Sequence, residues 1–160
     1  MLEGAPSRGT SHNSFAAFSN GVIFVYNVAD MSVTIPSKTV LIVEDHPDMR
    51  ELLVWQIELM GYTPVPASTA KEALEKALIE KPALILLDIM LPTMDGREAA
   101  RVLKANPETE DIPILATTAL FREPDLQSCL EAGCSGYLVK PFTFQELQRK
   151  LRELIPGSTH

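Results

Sequence analysis

From Lys38 onward the apolar positions fall into short blocks of alternating character. Thr39-Val-Leu-Ile-Val43, Ala83-Leu-Ile-Leu-Leu87, Ile112-Pro-Ile-Leu-Ala-Thr117 and Gly136-Tyr-Leu-Val139 are apolar runs bounded by turn formers. That is the pattern of strands buried on both faces of a sheet. Between them the period lengthens. Pro47 to Met60 carries a stripe at Met49, Leu52, Leu53, Ile57 and Met60 and stops at Gly61, which predicts a helix with glycine just past its end. Tyr62 to Pro66 reads as a short strand whose two prolines suit only a sheet edge. Further helices are predicted over Thr69 to Glu80, about Asp95 to Ala105, Glu123 to Ala132 (closed by Gly133) and Thr143 to Leu154. Thr69 with Glu72 and Thr143 with Glu146 have the spacing of capping boxes. Five strands alternating with five helices predict an α/β domain: a doubly wound five-stranded parallel sheet with right-handed crossovers and helices on both faces.

The first 37 residues differ. Met1 to Asn20 is rich in Gly, Ser and Asn without periodicity and reads as disordered. Val22-Ile-Phe-Val-Tyr26 has the composition of a short strand but no visible partner. Residues 1–37 are therefore expected to be a flexible extension, residues 38–156 the domain and residues 157–160 a tail. Two readings of the extension stand: translation beginning at Met31, or a tail that docks on an exposed sheet edge. No output module is expected within the chain.

Charge narrows the partners. With 21 acidic against 14 basic residues the net charge is −7, which argues against nucleic-acid binding, since that needs clustered Lys and Arg. No apolar run approaches the length of a membrane span, and no secretory signal is visible, so a cytoplasmic location is expected. Cys129 and Cys134 lack metal-ligand spacing and are expected to be reduced thiols.

Candidate chemistry sits at the strand ends, where open parallel sheets place it. Residues just past the strands are Glu44 and Asp45, then Asp88, Thr118 and Lys140. A lone Asp at a strand end is most often a turn former. Three carboxylates, a hydroxyl and an ammonium converging on one crevice are another matter. Crowded carboxylates repel unless a cation joins them, and hard oxygen ligands suit Mg²⁺. Lys140 and Thr118 are then left for an incoming anion, which gives the parts of a phosphoryl-transfer site.

On Val43-Glu-Asp45, Leu87-Asp-Ile-Met-Leu-Pro-Thr-Met-Asp-Gly96, Thr118-Ala119 and Gly136-Tyr-Leu-Val-Lys-Pro141, the chain resembles the receiver domains of two-component response regulators over about Lys38 to Leu154. The resemblance implies a flavodoxin-like strand order 2-1-3-4-5. It implies that Asp88 accepts a phosphoryl group from a phosphohistidine. It also implies that Glu44, Asp45, Asp88 and the Met90 backbone carbonyl bind Mg²⁺. Lys140 would pair with phosphoryl oxygens, and its bond to Pro141 would be cis. Thr118 and Tyr137 would form the switch that reports phosphorylation. Expected partners are a histidine kinase or histidine phosphotransfer protein and an output protein not readable from the sequence. The protein would act as a monomer or as a phosphorylation-dependent dimer.

Several positions bear on the detail. Met90 and Leu120, two residues beyond Asp88 and Thr118, are apolar where polar residues could orient water, so a long-lived phosphoaspartate is expected. Trp55 lies off the helical stripe and is expected to face solvent, with Val54 adding apolar area, either as a partner contact or folded against a neighbour. Phe121 and Phe144 are further candidates for an exposed contact face, and His46 is expected in a loop beside the acidic pair. A stand-alone switch leads, a relay intermediate remains open, and the protein is expected not to be a turnover enzyme. A phosphatase using Asp88 would need a second acid where Met90 stands.

Overall fold

The structure, a computed structural model, describes residues 14–19, 22–27, 30–36 and 38–157. The chain divides into two compact units, Met1–Ser37 and Lys38–His160.

In the first unit, β1 (Ser14–Ser19), β2 (Val22–Asn27) and β3 (Asp30–Pro36) form an antiparallel sheet in the order β1-β2-β3, with a bulge between Val25 and Asn27. Val22 to Tyr26, expected as a strand without a visible partner, is paired on both sides, and of Met1 to Asn20, expected to be disordered, only Ser14–Ser19 are among the described residues. Met1 to Asn13 and Asn20 lie outside the described residues. Met31-Ser-Val-Thr-Ile35 alternates apolar with polar residues, which is a strand signature. Ser14-Phe-Ala-Ala-Phe-Ser19 does not alternate, which is why no strand is visible there in the sequence.

The second unit has the predicted architecture. Its strands are β4 (Thr39–Val43), β5 (Thr63–Ala67), β6 (Leu84–Asp88), β7 (Ile114–Thr118) and β8 (Gly136–Val139). All pairs are parallel, in the order β5-β4-β6-β7-β8, which is 2-1-3-4-5 within the unit, and the proline-bearing β5 is an edge. The helices are α1 (Pro47–Leu59), α2 (Ala70–Glu80), α3 (Gly96–Ala105), α4 (Glu123–Glu131) and α5 (Phe144–Leu154).

The period-2 geometry of a strand explains the continuous apolar runs. Val40 and Ile42 of β4 face one core with Leu84 and Leu86 of β6, Leu53 and Ile57 of α1, and Leu147 and Leu151 of α5. Their neighbours Leu41, Val43, Ile85 and Leu87 face the other core, against Ala70, Ala73 and Ala77 of α2 and Ala99, Ala100 and Leu103 of α3. Each large aliphatic side chain buried this way contributes roughly 1.5–3 kcal/mol. The two cysteines are free and buried in the second core, and burial pushes the Cys134 thiol up to about 12. Such a thiol is almost entirely protonated, and therefore unreactive, at neutral pH.

Three local expectations change. Met49 and Leu52 belong to the apolar stripe of α1 yet are exposed, because only Leu53 and Ile57 of that helix are buried. Val54, expected on the solvent side, packs against the α1/α5 core. At α2 the Thr69 hydroxyl accepts from the Glu72 N–H, but the Glu72 carboxylate accepts from the Ser68 N–H and hydroxyl. At α5 the full reciprocal box of Thr143 and Glu146 is present.

Candidate functional site

The parallel register carries the sequence-predicted residues to one end of the sheet. Val43 lies opposite Leu87, Asp88 opposite Thr117, and Thr118 opposite Val139. Glu44, Asp88, Thr118 and Lys140 therefore leave four adjacent strands at nearly the same height. The Ile89 N–H donates to the Thr117 carbonyl and the Lys140 N–H to the Thr118 carbonyl, extending the ladder one residue past the strands.

Lys140 is the centre of the cluster. Its ammonium donates to Glu44 Oε2 at 2.9 Å and to Asp88 Oδ2 at 3.1 Å. Burial alone would lower the pKa of Lys140, but the hydrogen bonds and negative charge of Glu44 and Asp88 more than offset it, so it lies above the ordinary lysine value. Glu44 is 1% exposed and Asp88 4%. Buried carboxylates require such partners. The second oxygens of both are also satisfied: Glu44 Oε1 accepts from the His46 N–H, and Asp88 Oδ1 from the Met90 N–H. The Lys140–Pro141 bond is cis.

Asp45 is half-buried beside this pair. Donor atoms of Glu44, Asp45 and His46 lie within 4.8 Å of one another, the imidazole Nδ1 being 3.8 Å from Asp45 Oδ1. One ammonium between Glu44 and Asp88, with the Asp45 carboxylate next to Glu44, leaves an excess of negative charge and of hard oxygen donors. That donor set fits a hard divalent cation of the Mg²⁺ type. His46 is exposed and stands at the N-cap of α1.

The remaining residues fall as follows. Thr118 is buried, and its hydroxyl accepts from the Leu120 N–H at 3.0 Å. Tyr137 is half-buried and packs on the α2/α3/α4 core. Met90 and Phe121 are exposed, while Leu120 and Phe144 are half-buried. Trp55 is 58% exposed on the face of α1 that also carries Met49, Leu52 and Leu59.

Three residues at the site were missed in the sequence. Arg50 of α1 donates through Nη1 to the Glu44 and Asp45 carbonyls. Gly96 donates its N–H to the Ile89 carbonyl and packs directly on the Asp88 backbone. Arg97 pairs with Asp95 and reaches across to the Ser128 hydroxyl of α4. The hydrogen bonds from Arg97 hold the Asp95 carboxyl below its usual range. Asp-Gly at a helix start is a usable signal, since Asp is a good N-cap. Nothing in the sequence announces a side chain that turns back onto the preceding loop.

A five-stranded doubly wound sheet with an acidic cleft and a lysine at its carboxyl edge defines a flavodoxin-like α/β domain. The family model of the response regulator receiver domain matches residues 40–152, and the chain belongs to that family. It is 40% identical over 118 residues to the phosphate regulon transcriptional regulatory protein PhoB of Pseudomonas aeruginosa, an alignment covering 74% of this chain and 52% of that one. The chain thus spans about half the length of the curated relatives it matches first. An uncharacterized 14.6 kDa protein of Leptolyngbya boryana, 38% identical, is covered over 92% of its length and 75% of this chain. Among solved structures, the receiver domain of a sensor histidine kinase from Pseudomonas aeruginosa, with a magnesium ion coordinated in the active site cleft, is 33% identical with a TM-score of 0.70. The match covers 76% of this chain and 99% of that one. The chemotaxis protein CheY4 of Vibrio cholerae is 28% identical with a TM-score of 0.71, over 74% and 98%. Among the described residues, no helix is long and apolar enough to cross a membrane.

Proposed function

We propose that the protein is a phosphorylation-dependent signalling switch in which Asp88 is the acceptor and Glu44, Asp45, Asp88 and the Met90 carbonyl hold Mg²⁺. The observation that carries this reading is the Lys140 ammonium shared between Glu44 and Asp88. A cation already placed against the acceptor carboxylate is placed to meet the oxygens of a group bonded to it. An Asp88 oxygen attacks the phosphorus of a phosphohistidine, the P–O bond forms, the P–N bond breaks, and the imidazole leaves with its electron pair. When bound, Mg²⁺ supplies charge neutralisation of the transferring phosphoryl group.

The acceptor is modified once and does not turn over a substrate, so the product is a new conformational equilibrium. The Thr118 hydroxyl, held by the Leu120 N–H in this structure, turns toward the phosphoryl oxygens, and Tyr137 moves inward into the space released. The output is a protein–protein contact in the cytoplasm, and the relative of similar length to the matched domain supports a stand-alone receiver. The donor is a histidine kinase or phosphotransfer protein, and the exposed apolar face around Trp55 on α1 supports docking there.

Incubation with Mg²⁺ and acetyl phosphate tests the central claim. Intact-mass analysis is expected to show one added phosphoryl group, absent in Asp88→Asn and without Mg²⁺. A wild-type chain that gains none overturns the proposal.

A further inference from the structure

The main-chain carbonyls of the turn that carries Glu44 and Asp45 converge on one residue. Arg50 sits in the first turn of α1 and is half-buried. Its Nη1 donates to the Glu44 carbonyl at 2.8 Å and to the Asp45 carbonyl at 3.2 Å. Its own backbone N–H donates to the His46 carbonyl at 2.9 Å. Three consecutive carbonyls, those of Glu44, Asp45 and His46, therefore terminate on Arg50. On the strand side, the Glu44 N–H is tied to the Ala67 carbonyl of β5 at 3.1 Å. The short link between β4 and α1 is pinned at both ends.

Consecutive carbonyls in an unrestrained loop point in varied directions, because each peptide plane rotates separately. Gathering the Glu44 and Asp45 carbonyls onto one guanidinium fixes the plane between these residues and the one after them. The direction in which the Asp45 carboxylate leaves the chain is then set by the backbone. This matters most at Asp45, whose side chain is 28% exposed, against 1% for Glu44, and is correspondingly less restrained by packing. Arginine suits the task because its fork presents donors in a rigid plane and stays charged at every accessible pH.

We propose that Arg50 is a positioning residue for the acidic turn: it holds the backbone that aims Glu44 and Asp45 at a divalent cation. The inference rests on the Mg²⁺ reading above. Partners that orient metal ligands without touching the metal typically govern affinity. Arg50 acts on the ligands through their main chain and itself occupies no carboxylate oxygen of either.

The test compares the full-length wild type with Arg50→Met and Arg50→Lys by calorimetric Mg²⁺ titration, each checked by thermal melting in EDTA. Arg50→Met is expected to weaken Mg²⁺ binding by roughly tenfold, the lower end of the usual effect of losing a ligand-orienting partner. Arg50→Lys, with an ammonium able to donate to the same carbonyls, is expected to regain most of that loss. Mg²⁺ affinity of Arg50→Met within about twofold of wild type, well under the usual effect, overturns the proposal. So does a loss that follows only from a smaller folded fraction at the titration temperature. If Arg50→Met does not fold, Arg50→Gln replaces it under the same criteria: a loss of roughly tenfold in a folded chain supports the role, and affinity within about twofold of wild type overturns it. A wild type that binds no Mg²⁺ sinks the underlying site assignment instead, so the two failures are distinguishable.

Discussion

Gly96 lies against the backbone of Asp88 so closely that no side chain fits between them. A Cβ on Gly96 would stand 2.4 Å from the Asp88 carbonyl oxygen and 2.6 Å from the Ile89 Cα. The Gly96 N–H also bonds the Ile89 carbonyl at 2.8 Å. The start of α3 is thus docked onto the strand end that presents the Asp88 carboxylate.

Gly96→Ala must push these elements apart. It is expected to cost about 1–3 kcal/mol, the usual range for overpacking against atoms that cannot give way. Urea denaturation measures that loss. The proposed phosphorylation of Asp88 should slow as well, since the displaced atoms belong to Asp88 itself. An alanine variant as stable and as readily phosphorylated as wild type would show that the helix start shifts freely.

Lys140→Met leaves Glu44 and Asp88 buried without their cation. The expected cost is roughly 2–3 kcal/mol, below that of breaking a fully buried pair because the lysine side chain is 23% exposed. Added Mg²⁺ should restore part of the stability by supplying positive charge to the same carboxylates. The sign of the pH dependence follows from the raised lysine pKa. The pairing stabilises the fold fully below the ordinary lysine value and is lost as pH rises through the folded-state value. The gap between wild type and Lys140→Met should therefore be widest near neutrality and close in strong alkali.

How much of this was legible in the sequence depends on what each residue answers to. The strands β4 and β6 were plain because both faces are buried, so every position had to be apolar. Asp88 stood out because it breaks such a run at its end. Met49 and Leu52 were misread because helical periodicity identifies a face but not whether a neighbour covers it. Glu72 was assigned to Thr69 by spacing, yet a flexible carboxylate can serve any nearby donor, and Ser68 offers two. Arg50 was invisible for the same reason: its partners are main-chain carbonyls, which carry no sequence signal.

The start of α2 provides an acid-range test. Hydrogen bonding to Lys76, aided by the Ser68 N–H and hydroxyl, lowers the Glu72 carboxyl from 4.5 to about 2. A depressed folded-state pKa contributes stability that is present above the ordinary value and lost as pH falls through the depressed one. Glu72→Gln should flatten the acid limb of the stability profile between those two values, read by denaturant midpoints across pH. The effect should be modest and salt-sensitive, since the Glu72 side chain is 36% exposed. A profile identical to wild type would mean the cluster is fully screened.

The lifetime of the phosphorylated state should follow from Met90 and Leu120, which stand two residues beyond Asp88 and Thr118. Met90 is exposed and Leu120 half-buried, and neither side chain offers a donor or anything stronger than the weak thioether acceptor of methionine. Hydrolysis of an acyl phosphate needs that water oriented and partly deprotonated, a contribution general bases make through hydrogen bonding. Phosphorylated protein freed of donor, with Mg²⁺ present, should therefore retain its phosphoryl group for many minutes. Met90→Glu should speed the decay by at least about tenfold, because a carboxylate there can hold and activate the water. Loss of the phosphoryl group from wild type within seconds would remove the apolar pair as the cause of a slow clearance.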